Sequence, residues 1–272
     1  MASRRRLDAE LVRRDLASSR ARARELIDAG RVVVGGAPAV KAARLVDPGE
    51  PVLVLGERPR FVSRGGEKLD AALDRFGVDP AALRVIDVGS STGGFTDCLL
   101  QRGAEESVAI DVGRNQLHEK IRADPRVSVY ERTNVRHVVV DDVGGPGDLV
   151  VADLSFISLR TVASALLSLS RPGGQLVVLV KPQFEAGKAE ADKARGVIRD
   201  PAVWRSALDG ACRALSGAGG AIMGVMVSPI TGGDGNVEFL VHAVRTHTDG
   251  STTDPGRWAD WCDVAVGEAE GS

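Results

Sequence analysis

Acids and a lysine recur where the apolar runs of this chain give out. Asp87 lies within Val85–Val88, Asp111 closes Ser107–Asp111, Asp153 follows Leu149–Ala152, and Lys181 follows Leu176–Val180. Glu238 opens a later run, Val237–Val244, with apolar residues on both sides. An acid in that setting needs a partner, because an unpaired buried charge is costly. Lys181 is followed by Pro182, which fixes the backbone behind it. A lysine at the mouth of a buried strand differs from one on a helix face, and simple snorkelling is the alternative. After Asp87 comes the spacing Asp87-x-Gly89-x-x-x-Gly93-Gly94. Glycines at a strand-to-helix turn let a ligand approach the backbone and present N–H groups at a helix N-terminus. The spacing is not the G-x-G-x-x-G dinucleotide fingerprint. An ordinary tight turn is the plain alternative. An acid at Asp111 can hydrogen-bond both ribose hydroxyls of an adenosine. Asn134 either meets an adenine edge or holds a turn.

These residues need a scaffold that brings strand ends together. Apolar runs at 85–88, 107–111, 127–130, 149–152 and 176–180 alternate with helical stretches. That pattern predicts a parallel sheet covered on both faces, with ligands beyond the carboxyl ends of its strands. The last two strands, Ala221–Val227 and Val237–Val244, are joined by a Gly-rich stretch too short for a helix, which predicts an antiparallel closing pair. A helix carrying Leu69, Leu73 and Phe76 precedes the first strand and ends at Gly77 and Pro80. Asp200-Pro201 caps and opens another. Glu185–Arg199 is polar and Gly-spiked, a candidate flap. Beyond Thr246 the chain turns polar, and Trp258 and Trp261 can dock a last turn on the body.

Residues 1–57 read as a separate unit. Leu7 and Leu11 mark a short helix, and Ser18-Ser19 cap a second that runs from Ser19 to Ala29. Arg20 and Arg24 stand one turn apart on its polar side, with Arg22 nearby. A small hairpin follows around Gly35-Gly36. Residues 1–64 hold 14 Lys/Arg against 8 Asp/Glu, whereas the rest holds 21 against 29. A basic module on an acidic body suggests attachment to a polyanion. A solvated helix face is the plain reading of the same arginines. Cys98, Cys212 and Cys262 are scattered, which argues against zinc or a disulfide framework and fits a reducing cytoplasm. No apolar run approaches the ~20 residues that span a bilayer, and no apolar core of a signal peptide follows Arg4-Arg5-Arg6.

The glycine loop resembles the S-adenosylmethionine (SAM) loop of class I methyltransferases, α/β proteins with a Rossmann-like seven-stranded sheet. The resemblance implies SAM held by Asp87, by the loop Gly89-Ser90-Ser91-Thr92-Gly93-Gly94-Phe95, and by Asp111, Asn134 and Asp153. Methyltransferases acting on exocyclic amines usually carry a Pro-Pro-aromatic element after the fourth strand. Here Asp153-Leu154-Ser155-Phe156 stands there. Carbon-5 methylation of pyrimidines needs a cysteine nucleophile, and none of the three has that setting. Transfer to oxygen remains. Lys68, Asp153, Lys181 and Glu238 resemble, in this order, the Lys-Asp-Lys-Glu tetrad of metal-free FtsJ-like ribose 2′-O-methyltransferases. A lysine is a base only when neutral; a second ammonium favours that form and the two acids oppose it, and the sequence leaves both open.

The N-terminal unit is similar to the S4 RNA-binding domain in Arg6-Leu7-Asp8, Ser19-Arg20-x-x-Ala23, Leu26-Ile27, Gly30-x-Val32-x-Val34, Lys41 and Pro48-Gly49-Glu50. It departs at Gly35-Gly36, where Asn-Gly is usual. Together the two parts resemble the TlyA family, S4-linked 2′-O-methyltransferases of ribosomal RNA, also labelled haemolysins. The family implies an RNA contact set of Arg4, Arg6, Arg20, Arg22, Arg24, Lys41 and Arg64. It implies ribosomal RNA or subunits as partners, with no membrane, metal or obligate protein partner. It also implies cytidine ribose as target, in the RNA of both subunits for a long form and of the large subunit only for a shorter one. The stretch Met1 through Arg6 leans towards that form. The expected layout is an S4-like α+β domain at 1–57, a linker at 58–64, an FtsJ-like domain at 65–247 and a polar tail at 248–272. A membrane-active protein and a non-catalytic RNA-binding protein are the rival readings.

Overall fold

The computed structural model describes residues 4–14, 16–17, 20–56, 59–187, 196–232, 235–246 and 255–271. It divides into two units, Met1–Arg60 and Phe61–Ser272. The expected Ser18-Ser19 cap lies outside the described residues.

The smaller unit runs β1 (Arg5–Arg6), α1 (Leu7–Arg13), α2 (Arg20–Asp28), β2 (Val32–Val34), β3 (Ala37–Pro38), β4 (Leu45–Val46) and β5 (Val52–Val54). Strands pair as β3-β2-β5 and β1-β4. Leu7 and Leu11 of α1 meet Ala23, Leu26 and Ile27 of α2 over Val32, Val34 and Val46. Gly35 and Gly36 have φ of +60° and +85°, and Val34 pairs with Ala37 across them. A two-residue hairpin whose central residues both need positive φ suits Gly-Gly as well as Asn-Gly.

The larger unit runs α3 (Gly65–Phe76), β6 (Arg84–Val88), α4 (Gly94–Gln101), β7 (Glu106–Ile110), α5 (Glu119–Arg122), β8 (Val127–Tyr130), β9 (Gly147–Ala152), α6 (Leu159–Leu169) and β10 (Ser170–Val180). It continues with α7 (Pro182–Glu185), α8 (Pro201–Gly217), β11 (Gly220–Val227), β12 (Phe239–Arg245) and α9 (Pro255–Glu270). The seven strands are ordered β11-β12-β10-β9-β6-β7-β8. β10, β9, β6, β7 and β8 are parallel neighbours, while β12 is antiparallel to both β10 and β11. Side chains alternate between two buried faces. Val85, Leu149, Val151, Val177 and Leu179 face α3 and α4, with Leu69, Leu73, Phe95 and Leu99. Ile86, Val150, Val178 and Val241 face the other way, with α6, α8 and α9.

Three expectations need correction. The region expected as a polar tail contains α9, which buries Trp258, Cys262, Ala265 and Ala269 in the core. Glu185 is not flap but buried structure at the end of α7; residues 188–195 of that segment lie outside the described residues. β12 begins at Phe239, so Glu238 stands just before the strand.

Candidate active site

The loop between β6 and α4 is compressed from three sides, and its residue types follow from that. Gly89 has φ of +84°, and a Cβ there would lie 2.4 Å from the Asp153 carbonyl oxygen. Gly93 has φ of +92°, with Leu117 only 2.9 Å from a Cβ. A Cβ on Gly94 would meet Ser63 Oγ at 2.2 Å, where the chain turns into α3. Ser91 takes φ of +46°, a left-handed position uncommon for a residue with a side chain. Its N–H donates to Asp111 Oδ2 at 2.8 Å, and Gly113 N–H donates to Asp111 Oδ1 at 2.6 Å. Asp111 therefore ties the glycine loop to the turn after β7. Asn134 caps the 3-10 turn Val135–His137, its Oδ1 accepting from Arg136 N at 3.1 Å. Of its two sequence readings, turn-holding is the one its oxygen performs.

Asp87 is fully buried. Its Oδ2 accepts from Thr96 Oγ1 at 2.6 Å, while Oδ1 has no hydrogen-bond partner. Burial pushes this carboxyl up to about 7, against the Thr96 hydrogen bond and with help from the Asp153 and Asp111 charges. A buried acceptor without a donor, beside glycines with no room for a Cβ, fits a polar ligand carrying its own donors. The N-terminus of α4 adds N–H groups of its first turn. These residues thus fit an amino-acid-bearing nucleoside such as SAM.

Lys68, Asp153, Lys181 and Glu238 form two ion pairs. Lys68, on α3 and 7% exposed, pairs with Glu238, 3% exposed, through its Nζ and Oε2. Lys181 Nζ lies 2.5 Å from Asp153 Oδ1 and donates to Ser155 Oγ at 3.1 Å. Backbone register explains the gathering. Val180 pairs with Phe239 and Val178 with Ala152, so Lys181 and Glu238 flank one rung of the β10–β12 ladder and Asp153 leaves the adjacent strand. Gly232 packs so closely that a Cβ would lie 2.5 Å from Glu238 Oε1. Phe156, beside Asp153 in sequence, is 91% exposed at φ of +63°, its ring 5.1 Å from that of Phe184.

Sequence reasoning missed two residues near these pairs. Glu185, 4% exposed, accepts from Ser158 Oγ at 2.5 Å and Leu159 N at 2.6 Å. Asn236 is buried, its Oδ1 accepting from Ile198 N at 2.9 Å and its Nδ2 donating to Gly196 O at 2.8 Å. The signal for Asn236 was its place two residues before Glu238. Glu185 gave the weaker one of an acid just after Lys181-Pro182-Gln183-Phe184.

In the smaller unit, buried Asp8 collects three of the candidate RNA-binding arginines. Arg6 Nε lies 3.1 Å from its Oδ1, and Arg20 Nη2 and Arg24 Nε lie 2.9 Å and 3.4 Å from its Oδ2. The Arg6 hydrogen bond, reinforced by Arg20, holds the Asp8 carboxyl well below the usual range. Glu10 does the same for Arg13 and Arg14 and is lowered to about 2, the Arg13 hydrogen bond leading. Arg22 pairs with Glu25 and Arg4 with Asp47. Lys41 is exposed. Arg64 belongs to the larger unit, exposed at the N-cap of α3. Among the described residues no helix is long and apolar enough to cross a membrane, and no group of His, Cys, Asp and Glu is arranged to hold a metal ion.

Comparison with known proteins meets this architecture at both ends. The FtsJ-like methyltransferase model matches residues 61–245 and the S4 domain model residues 5–52. The chain is 48% identical to the 16S/23S rRNA (cytidine-2′-O)-methyltransferase TlyA of Mycobacterium tuberculosis, covering 92% of each. It is 35% identical to Hemolysin A of Brachyspira hyodysenteriae, over 88% of this chain and 99% of that one. A solved structure from Streptococcus thermophilus that also bears the haemolysin name is 36% identical, with a TM-score of 0.77, covering 99% of this chain and 98% of that one. The sheet order and glycine loop are those of the class I SAM-dependent methyltransferase fold, and the chain belongs to the TlyA family, in which an S4 domain precedes an FtsJ-like methyltransferase domain.

Proposed function

We propose that this chain methylates a ribose 2′-oxygen of ribosomal RNA, with cytidine of the small- and large-subunit RNAs as its target class. The observation that carries the reading is the pair of Lys–carboxylate contacts at neighbouring strand ends, next to a loop whose glycines have no space for a Cβ. The activity named for the M. tuberculosis relative supports the target class. SAM, when bound, supplies a methyl group already activated on a sulfonium, so in-line displacement by an oxygen needs no metal to prepare the leaving group.

Asp87, the backbone from Gly89 to Phe95, Asp111 and Asp153 would hold that cosubstrate, with Asn134 shaping the turn beside it. Lys181 would contact the reacting hydroxyl, with Asp153 fixing its direction. Lys68 would position the substrate ribose, held in turn by Glu238. Alignment of this kind is worth ~7–11 kcal/mol. The arginines around Asp8, with Arg4, Arg22, Lys41 and Arg64, would grip RNA, since guanidiniums pair with phosphates and stack on bases.

Tritium transfer from labelled SAM to ribosomal RNA, with the modified nucleotide mapped on free subunits and on naked RNA, tests the reading. Lys181→Ala should abolish transfer while SAM binding persists; near-normal turnover would sink the assignment. Dye release from liposomes by the pure protein is the counter-assay for the haemolysin names.

A further inference from the structure

Two loops leave the sheet side by side and are joined at three levels. One follows β9 from Asp153 to Ser158; the other is Lys181 with α7. At the sheet, Lys181 Nζ meets Asp153 at 2.5 Å and Ser155 Oγ at 3.1 Å. In the middle, the Phe156 and Phe184 rings pack with centroids 5.1 Å apart. At the far end, Glu185 accepts from Ser158 Oγ at 2.5 Å and from Leu159 N at 2.6 Å, and Arg160 Nη2 donates to the Glu185 carbonyl. We infer that Glu185 is a positioning residue, which closes this clasp and so sets where Lys181 stands.

The inference rests on the role proposed for Lys181. α7 has four residues, and a helix of one turn does not hold itself together. Lys181 is its N-cap and Glu185 its last residue, so anchoring Glu185 fixes the turn that carries the lysine. Phe156 points the same way. Its φ of +63° is costly for an aromatic residue and persists only where the surroundings impose it. Those surroundings are the bonds on either side, at Ser155 and at Ser158. α6 has less need of Glu185. It has Ser158 as its own cap and buries Leu159, Val162, Leu166 and Leu169.

The test compares Glu185→Ala, Glu185→Gln and Lys181→Ala in the full chain with ribosomal RNA. Measured are kcat, KM for each substrate, SAM affinity by calorimetry and the melting temperature. Glu185→Ala should lower kcat about 10- to 100-fold with both KM values within about threefold, since misplacement of a reacting group costs rate. Glu185→Gln keeps an oxygen for the Leu159 N–H and should recover part of the loss. Unchanged kcat, a loss confined to KM, a loss that follows the unfolded fraction, or Gln no better than Ala would each overturn the inference. If Glu185→Ala does not fold, Glu185→Gln combined with Ser158→Ala takes its place, which removes the carboxylate and its Ser158 bond together, and unchanged kcat there overturns it equally. An inactive Lys181→Ala beside a fully active Glu185→Ala overturns this inference alone. An active Lys181→Ala removes the proposed role of Lys181 and this inference with it.

Discussion

Burial pushes the Asp87 carboxyl up to about 7, so this residue gives the ligand-free protein an uncommon pH dependence. Between the ordinary carboxylate range and that value, the native state keeps a proton that the unfolded chain has released. Stability from this group therefore falls as pH rises from about 4 to about 7, and is flat above. Asp8 and Glu10 act with the opposite sign. Their carboxyls are lowered, so their contribution is present above about 4.5 and is lost as pH falls towards 2. Asp87→Asn isolates the first effect. The variant and the parent should melt at similar temperatures near pH 4, and the variant should melt higher at pH 8 without ligand. Scanning fluorimetry over that range checks it, and parallel profiles would refute the buried-proton account.

At the scale of elements, the parallel strands were legible because each is a nearly continuous apolar run buried on both faces. The glycine loop was legible because only glycine tolerates its close approaches at Gly89 and Gly93. α9 was not. Trp258 and Trp261 do dock on the body as their spacing suggests, but the polar run before them hides the full helix that carries Cys262, Ala265 and Ala269 into the core. The partners of Glu185 and Asn236 were hidden for another reason. Each bonds to backbone more than 25 residues away, in segments that the sequence pattern does not bring together. Which lysine meets which acid is also set by register and by the entry of α3, not by order along the chain. α9 gives a direct test of packing. Trp258 is 4% exposed in the core, on a helix that packs against α8 and β11. Trp258→Ala should cost about 3–5 kcal/mol in chemical denaturation. A loss under about 1 kcal/mol would mean that α9 is peripheral.

For the molecule as a whole, charge arrangement and net charge make opposite forecasts. Asp8→Asn removes a negative charge from the basic unit, which by bulk electrostatics should tighten RNA binding. It also removes the shared partner of Arg6, Arg20 and Arg24. Loss of a buried partner leaves its cations to repel and to wander. Binding to ribosomal RNA should therefore weaken, as it should in Arg20→Ala with Arg24→Ala, while SAM binding is spared in both. Tighter binding by Asp8→Asn would show that the arginines act only as diffuse charge. The order of synthesis adds a different constraint. β12 is made after β11, yet it lies between β11 and β10. β11 thus has no strand to join until its successor emerges, and a growing chain must hold a gap at the edge of its sheet. Long-range insertion of this kind is the slow, aggregation-exposed part of folding. Glu238 arrives with that last strand. A nascent chain that stops short of it already carries the glycine loop and both lysines, and has no acid for Lys68. Birth of the full charge pattern is thereby tied to closure of the sheet by β12.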